Sequence, residues 1–304
     1  MKTSAYDIIP DIHGHHDKLV AILEKLGYRA EGNTHRHPEG RKVVFLGDFI
    51  DRGPQIREVL HTVRGMVDAG DAYAVMGNHE YNAICYATPD GKGGYLKDRG
   101  KESYKGHLGT VRAFDGRENE WEEWIVWFKR LPLYLDFGDF RAVHACWDDR
   151  AIKELNGALL DDPDVLRETR RKKSTLKRAV EYLLCGPEVH LPPGYSFFDK
   201  ENFERYCIRT RWWDLKPGHC CGEVCLPEPI DCPLPLLDRH LERLPDYPTD
   251  APPVFFGHYW IPPERPREPL RHNIICLDYS AGLGGPLVAC RWNGPGNLEF
   301  IESP

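Results

Sequence analysis

The stretch Gly47-Asp48-Phe49-Ile50-Asp51-Arg52-Gly53-Pro54 decides how this chain is read. It follows the apolar run Val43-Val44-Phe45-Leu46 and precedes Ile56, Val59, Leu60, Val63 and Val67, which recur at helical spacing. It is therefore a strand-to-helix turn, the place where α/β proteins put their chemistry. Pro54 suits the start of the following helix and Gly70 its end. A turn needs glycine, but turning does not require Asp-x-x-Asp-Arg. Asp48 reads as a metal ligand and Arg52 as an anion holder.

The same arrangement recurs on both sides. Tyr6-Asp7-Ile8-Ile9 reads as a short strand running into Pro10-Asp11-Ile12-His13-Gly14. On an extended segment Asp11 and His13 point the same way. A helix follows, with Leu19, Ile22, Leu23 and Leu26 on one face and Gly27 as its stop. Ala72-Tyr73-Ala74-Val75-Met76 is a third strand and ends in Gly77-Asn78-His79-Glu80. A lone D-x-H is weak evidence. Three consecutive βα units ending in such residues place a cluster of metal-type ligands on one sheet edge.

Residues 81–117 are rich in glycine and read as loop. Trp121, Trp124, Ile125 and Phe128 mark a helix packing aromatics. Residues 133–137 and 140–143 flank Gly138-Asp139 as a hairpin that ends at His144. The strand Val254-Phe255-Phe256 ends in Gly257-His258, and Ile274-Ile275-Cys276-Leu277 ends at Asp278. A final hairpin spans 287–292 and 298–301.

Composition bounds the reading. The 304 residues suffice for one large domain or two modest ones. Hydrophobic content of 41% and charged content of 29% suit a soluble globular protein. The net charge of -7 argues against broad nucleic-acid binding. No apolar run is long enough to span a membrane, and Met1-Lys2-Thr3-Ser4-Ala5 has no signal core. A cytoplasmic location is expected, with the ten cysteines as reduced thiols. His219, Cys220, Cys221, Cys225 and Cys232 are zinc-type donors without a paired C-x-x-C spacing. They read as a zinc site or as loop thiols. The basic stretch 167–178 is a solvated helix face or an electrostatic rim for an anionic substrate. The proline-rich run 227–253 reads as an irregular connection.

The strand-end groups are Asp11, His13, Asp48, Asn78, His144 and His258. Hard oxygen donors mixed with imidazole suit manganese, iron or zinc rather than calcium. Six ligands are too many for one catalytic ion that keeps open positions. They fit two divalent ions sharing a bridging carboxylate. Such ions, about 3.5–4 Å apart, hold a hydroxide and clamp a phosphoryl group for in-line attack. Arg52 would neutralise phosphate oxygens. His79 would protonate the leaving group, and Asp51 would orient His79.

These motifs, in this order, resemble the calcineurin-like metallophosphoesterases. The similarity is to the branch that holds serine/threonine phosphoprotein phosphatases and bacterial diadenosine tetraphosphatases. The end segment Leu277-Asp278-Tyr279-Ser280-Ala281-Gly282-Leu283-Gly284-Gly285-Pro286-Leu287 resembles that branch as well. The match covers residues 6–82, 131–146 and 253–292. It implies one α/β (α+β, four-layer) domain over residues 1–304. Two central mixed sheets would pack face to face, with helices outside and the metal site at the strand C-terminal ends. Residues 147–252 would be an inserted cap that sets specificity.

The resemblance also implies roles. Asp11, His13 and Asp48 would hold one metal, and Asp48, Asn78, His144 and His258 the other, most simply as manganese. His79 would be the acid, Asp51 its partner and Arg52 a phosphate ligand. A further phosphate-binding arginine would be Arg211 or Arg209. The chain departs from the pattern at Pro10, where relatives have glycine, and at His15 and His16. Symmetrically cleaving dinucleoside tetraphosphatases typically carry alanine at the position of Asp51. Asp51-Arg52 therefore favours a protein-phosphatase-like enzyme or an asymmetric nucleotide phosphatase. The leading expectation is a two-metal phosphatase acting on phosphoprotein or phosphomonoester. The alternatives are a dinucleoside polyphosphate or other nucleotide hydrolase, with Trp212, Trp213 and Trp260 available for base stacking, and a non-catalytic metal-binding regulator.

Overall fold

Side chains alternate along the strand Lys42–Phe45, and that alternation sets the layers. Val43 and Phe45 enter one large apolar cluster beneath the helices, while Val44 and Leu46 enter a second cluster. The strand Tyr6–Ile9 divides in the same way, Ile9 to the first and Ile8 to the second. The computed structural model describes residues 5–199 and 203–304.

Two sheets share the second cluster. In the first sheet the strand order is Leu298–Glu302, Val288–Trp292, Tyr6–Ile9, Lys42–Phe45, Ala72–Ala74. In the second it is Ile274–Cys276, Val254–Phe256, Arg141–Val143, Tyr134–Asp136. Ile8, Val44, Leu46 and Val75 from the first meet Phe140, Ala142, Phe255 and Ile275 from the second, all fully buried or nearly so. Each of the larger side chains, Ala142 excepted, contributes about 1.5–3 kcal/mol when removed from water. This is the expected face-to-face pair of mixed sheets. Tyr6–Ile9 pairs parallel with Lys42–Phe45 and antiparallel with Val288–Trp292.

Helices cover the outer faces. Helix α1 (His16–Lys25) buries Leu19, Ile22 and Leu23. Helix α2 (Ile56–Asp68) buries Ile56, Val59, Leu60, Val63 and Met66, and Val67 is half-buried beside them. Pro54 lies in the turn before α2 rather than in it. Helices α3 (Asn78–Ala87), α4 (Lys101–Ala113) and α5 (Glu118–Lys129) follow. The reading of 81–117 as loop is thus corrected. Gly106 and Gly109 lower intrinsic helix propensity, but the packing of buried His107 and Thr110 holds α4 in place.

At the far end of the first sheet, Asp7 is fully buried and receives Arg41, Arg291 and the Tyr28 hydroxyl at 2.9–3.1 Å. A charge there is tolerable only because it is paired.

Residues 147–252 carry helices α6 (Asp149–Leu155), α7 (Pro163–Glu168) and α8 (Thr175–Cys185). They also carry a three-stranded sheet, with Cys207–Thr210 between Cys225–Leu226 and Glu188–His190. Val189, Ile208, Val224, Cys221, Cys225 and Cys232 form its small core. All ten cysteines are free, and among the described residues the 219–232 thiols meet no metal-type group of donors. Cys221, Cys225 and Cys232 are buried in that small core, and Cys220 is half-buried. The basic stretch is mostly a solvated face: Arg167, Arg171 and Lys177 pair with acids three or four residues away. The proline-rich run includes one short helix, Asp238–Leu241. Among the described residues no helix is long and apolar enough to cross a membrane.

Candidate metal centre

Three chain segments that follow strands of the two sheets converge on one carboxylate oxygen of a fourth. Asp48 Oδ2 lies 3.6 Å from His13 Nε2, 3.5 Å from His144 Nε2 and 3.9 Å from His79 Nε2. Asn78 Oδ1 sits 2.9 Å from His144 Nε2 and 2.8 Å from His258 Nδ1. Two donor groups result, His13–Asp48–His79 and Asp48–His144–His258, with donor atoms within 4.8 Å in each. They share Asp48, the residue expected to bridge.

The imidazole tautomers fit a cation. His13 Nδ1–H donates to the Ile50 carbonyl at 3.0 Å, and His144 Nδ1–H donates to the Leu46 carbonyl at 2.7 Å. Each backbone bond turns its Nε2 toward Asp48, as metal-binding histidines are usually oriented. Among the described residues, His13 Nε2 and His258 Nε2 are buried with no hydrogen-bond partner. Such atoms are costly unless something binds them. Asp11 stands beside the group, fully buried, and takes the His258 backbone N–H on its carboxylate at 3.1 and 3.2 Å. The donor chemistry therefore accommodates divalent ions.

Electrostatics tell the same story. Burial, then Asp278, push the Asp11 carboxyl well above its ordinary range. Burial and His79 hold His13 down to about 3. Burial also lowers His258, reinforced by Arg209. Burial would raise Asp48, but His144 and His79 outweigh it and hold the carboxylate ionised. Burial would lower His144, but Asp48 outweighs it and lifts the imidazole to about 10. Without metal, the His144 proton is what balances Asp48.

The backbone is forced at this place. His13, Asp48, Asp51, Arg52, His258 and Trp260 all adopt positive φ, between 47° and 71°. Close approach explains two glycines. A Cβ on Gly77 would lie 2.2 Å from Asp48 Oδ1, and one on Gly257 would lie 1.8 Å from Asp11 Oδ2. Glu80 clamps the turn: its carboxylate accepts the N–H groups of Asp48, Phe49, Ile50 and Gly77 at 2.8–3.3 Å.

Beside the donors, His79 Nδ1 meets Asp51 Oδ2 at 2.6 Å. Burial lowers the His79 pKa, but Asp48 and Asp51 outweigh it and raise it. Burial would raise Asp51, but hydrogen bonds from His107 and His79 hold it well below the usual carboxylate range. The Arg52 guanidinium lies 4.3 Å over the Trp260 ring. Arg209 lies 5.7 Å from that ring, and its Nη1 donates to the His258 carbonyl at 3.1 Å. Arg211 lies within electrostatic reach of Asp214 and Glu223. Of the two sequence candidates, Arg209 is the one the structure brings to the centre. Trp212 and Trp213 are buried against Phe256 and belong to the core. His16 is held by Thr62 Oγ1 at 2.9 Å, apart from the donors.

Sequence reasoning missed three groups. Glu80 was visible only as the neighbour of His79, although a glutamate in the first turn of a helix is a known clamp of backbone N–H groups. Asp278 ends a strand and accepts the Trp260 and Ser280 N–H groups at 2.9 and 3.0 Å. His107 and Thr110 were hidden in the glycine-rich segment.

The model of the calcineurin-like phosphoesterases matches residues 6–211. Among curated proteins, the Bacillus subtilis (strain 168) asymmetrical bis(5'-nucleosyl)-tetraphosphatase PrpE is 36% identical over 144 residues, covering 46% of this chain and 57% of that protein. The protein of the same name from Halalkalibacterium halodurans is 37% identical over 142 residues, covering 45% of this chain and 54% of that protein. The match thus spans little more than half the length of these relatives. Among solved structures, a serine/threonine phosphatase from Saccharomyces cerevisiae aligns with a TM-score of 0.50 at 12% identity, covering 100% of this chain and 80% of that one. That likeness concerns the fold alone.

Proposed function

The chain belongs to the calcineurin-like phosphoesterase family, and from that premise we propose that it is a two-metal phosphoester hydrolase. The observation that carries the reading is the convergence of three imidazole nitrogens on Asp48 Oδ2, next to a His79–Asp51 pair. Asp11, His13 and Asp48 would hold one divalent ion, and Asp48, Asn78, His144 and His258 the other. Such a pair of ions supplies Lewis acidity at the phosphoryl group and activates the attacking water. Manganese fits the mixed oxygen and imidazole donors, as do iron and zinc.

The side chains do the rest. Arg52 and Arg209 neutralise the phosphoryl oxygens and orient them. His79 gives its Nε2 proton to the leaving oxygen as the P–O bond breaks, while Asp51 holds the opposite Nδ1–H and stabilises the protonated ring. Residues 147–252 would cap the site, an assignment supported by Arg209, which reaches from that segment to the His258 carbonyl. Ten free thiols support a reducing, cytoplasmic setting.

The substrate class has two readings. Phosphoprotein or a simple phosphomonoester is one. A dinucleoside tetraphosphate is the other, supported by the names of the sequence relatives and by Asp51. Purified protein loaded with manganese should hydrolyse p-nitrophenyl phosphate, and on a phosphoester with a poor leaving group, such as an alkyl phosphate, His79→Ala should lose at least about 10²-fold in kcat with metal retained. Diadenosine tetraphosphate separates the substrates: AMP with ATP marks asymmetric cleavage, ADP alone marks symmetric cleavage, and no nucleotide release removes that reading. Metal-loaded protein inert on every phosphoester and anhydride would refute the hydrolase.

A further inference from the structure

Asp51 has two oxygens and both are engaged. Oδ2 faces His79. Oδ1 receives His107 Nδ1–H at 2.9 Å and the Thr110 hydroxyl at 2.5 Å. Thr110 Oγ1 in turn accepts the Asp51 backbone N–H at 3.1 Å. His107 and Thr110 are three residues apart on α4 and so share one helix face. Both are buried, and the His107 ring lies tilted against Tyr86 and Trp121. Asp51 itself has φ of 67°, so its backbone does not fix it without help.

Resting on the hydrolase reading above, we propose that His107 and Thr110 are positioning residues for acid catalysis. They complete a chain, α4 to Asp51 to His79, that aims one imidazole at the leaving group. The carboxylate can rotate about its bond to Cβ. Two donors on Oδ1, fixed to a helix, stop that rotation and leave Oδ2 as the acceptor for His79. The transferred proton is the one on His79 Nε2, which passes to the leaving oxygen as the P–O bond breaks. Neither His107 nor Thr110 touches substrate. Their effect should therefore scale with how much the leaving group needs a proton.

The test uses the metal-loaded full chain and two substrates. p-Nitrophenyl phosphate expels p-nitrophenolate readily without an acid, whereas the alkoxide of a simple alkyl phosphate needs a proton to leave. Two variants separate packing from hydrogen bonding. His107→Phe fills the space without a donor, and His107→Asn places an amide N–H near the position of Nδ1. His107→Phe should lose about 10-fold to 100-fold in kcat on the alkyl phosphate, at most about 3-fold on p-nitrophenyl phosphate, with KM and bound metal unchanged. His107→Asn should recover most of that loss, and Thr110→Val should repeat the leaving-group bias. Equal losses on the two substrates, a change confined to KM, or equal activity of the Phe and Asn variants would overturn the proposal. A wild-type protein inert on both substrates and on diadenosine tetraphosphate would instead refute the hydrolase reading beneath it.

Discussion

Substituting Glu80 by glutamine removes a charge and almost no volume, so its consequences can be worked from hydrogen bonds. Oε2 accepts from Asp48 and Gly77 at 2.8 and 3.0 Å, and Oε1 accepts from Phe49 and Ile50 at 2.8 and 3.3 Å. Glutamine has one acceptor oxygen. Either orientation of its amide sets an NH2 against two backbone N–H groups. Two bonds to a charged acceptor are lost, at about 1.5–3 kcal/mol each. An opposing effect exists, since burial and Asp48 push the Glu80 carboxyl up to about 7. Removing the charge relieves that repulsion, so the net destabilisation should be about 2–4 kcal/mol. The clamped N–H groups belong to the turn that carries Asp48, so manganese affinity should also fall by about 10-fold to 100-fold. Urea unfolding of metal-free protein at pH 8 reads the first quantity, and titration calorimetry reads the second. A loss of stability below about 1 kcal/mol, with metal affinity unchanged, would refute the clamp.

Two further outcomes are expected. Asp7→Asn should cost about 3–5 kcal/mol in urea, because Arg41 and Arg291 lose their buried partner, while metal content stays unchanged; the network lies about 13 Å of strand away from Asp11. Metal uptake should release a proton from His144, whose imidazole Asp48 lifts to about 10. The raised pKa stabilises the metal-free fold fully below about 6.5 and is lost as pH rises toward 10. Apparent metal affinity should therefore climb with pH up to about 10. Calorimetry in buffers of different ionisation enthalpy counts the proton, and a count of zero at pH 8 would contradict the assignment.

Much of the centre was legible because most donors lie within a residue or two of the end of a short apolar run. Asp11, Asp48, Asn78, His144 and His258 are fixed by strand register, and register follows from local sequence. The sandwich of two sheets was legible through resemblance, and the split of Val43 and Phe45 from Val44 and Leu46 gives its physical basis. Contacts made at long range were not legible. His107 reaches Asp51 across 56 residues, from a helix whose glycines disguise it. Asp7 breaks the apolar pattern of a buried strand, and only the folded chain shows Arg41 and Arg291 beside it. The choice between Arg209 and Arg211 turned on which one faces His258.

The positive φ angles at His13, Asp48, Asp51, Arg52, His258 and Trp260 carry a consequence for how this protein can be improved. Each such residue costs on the order of 1 kcal/mol that glycine would not. Heat resistance selected by itself would reward glycine at all six positions, and it would erase the donors, the acid's partner and the anion holder as it did so. Any campaign for thermal tolerance must hold those positions constant and seek its gains in the far end of the sheets.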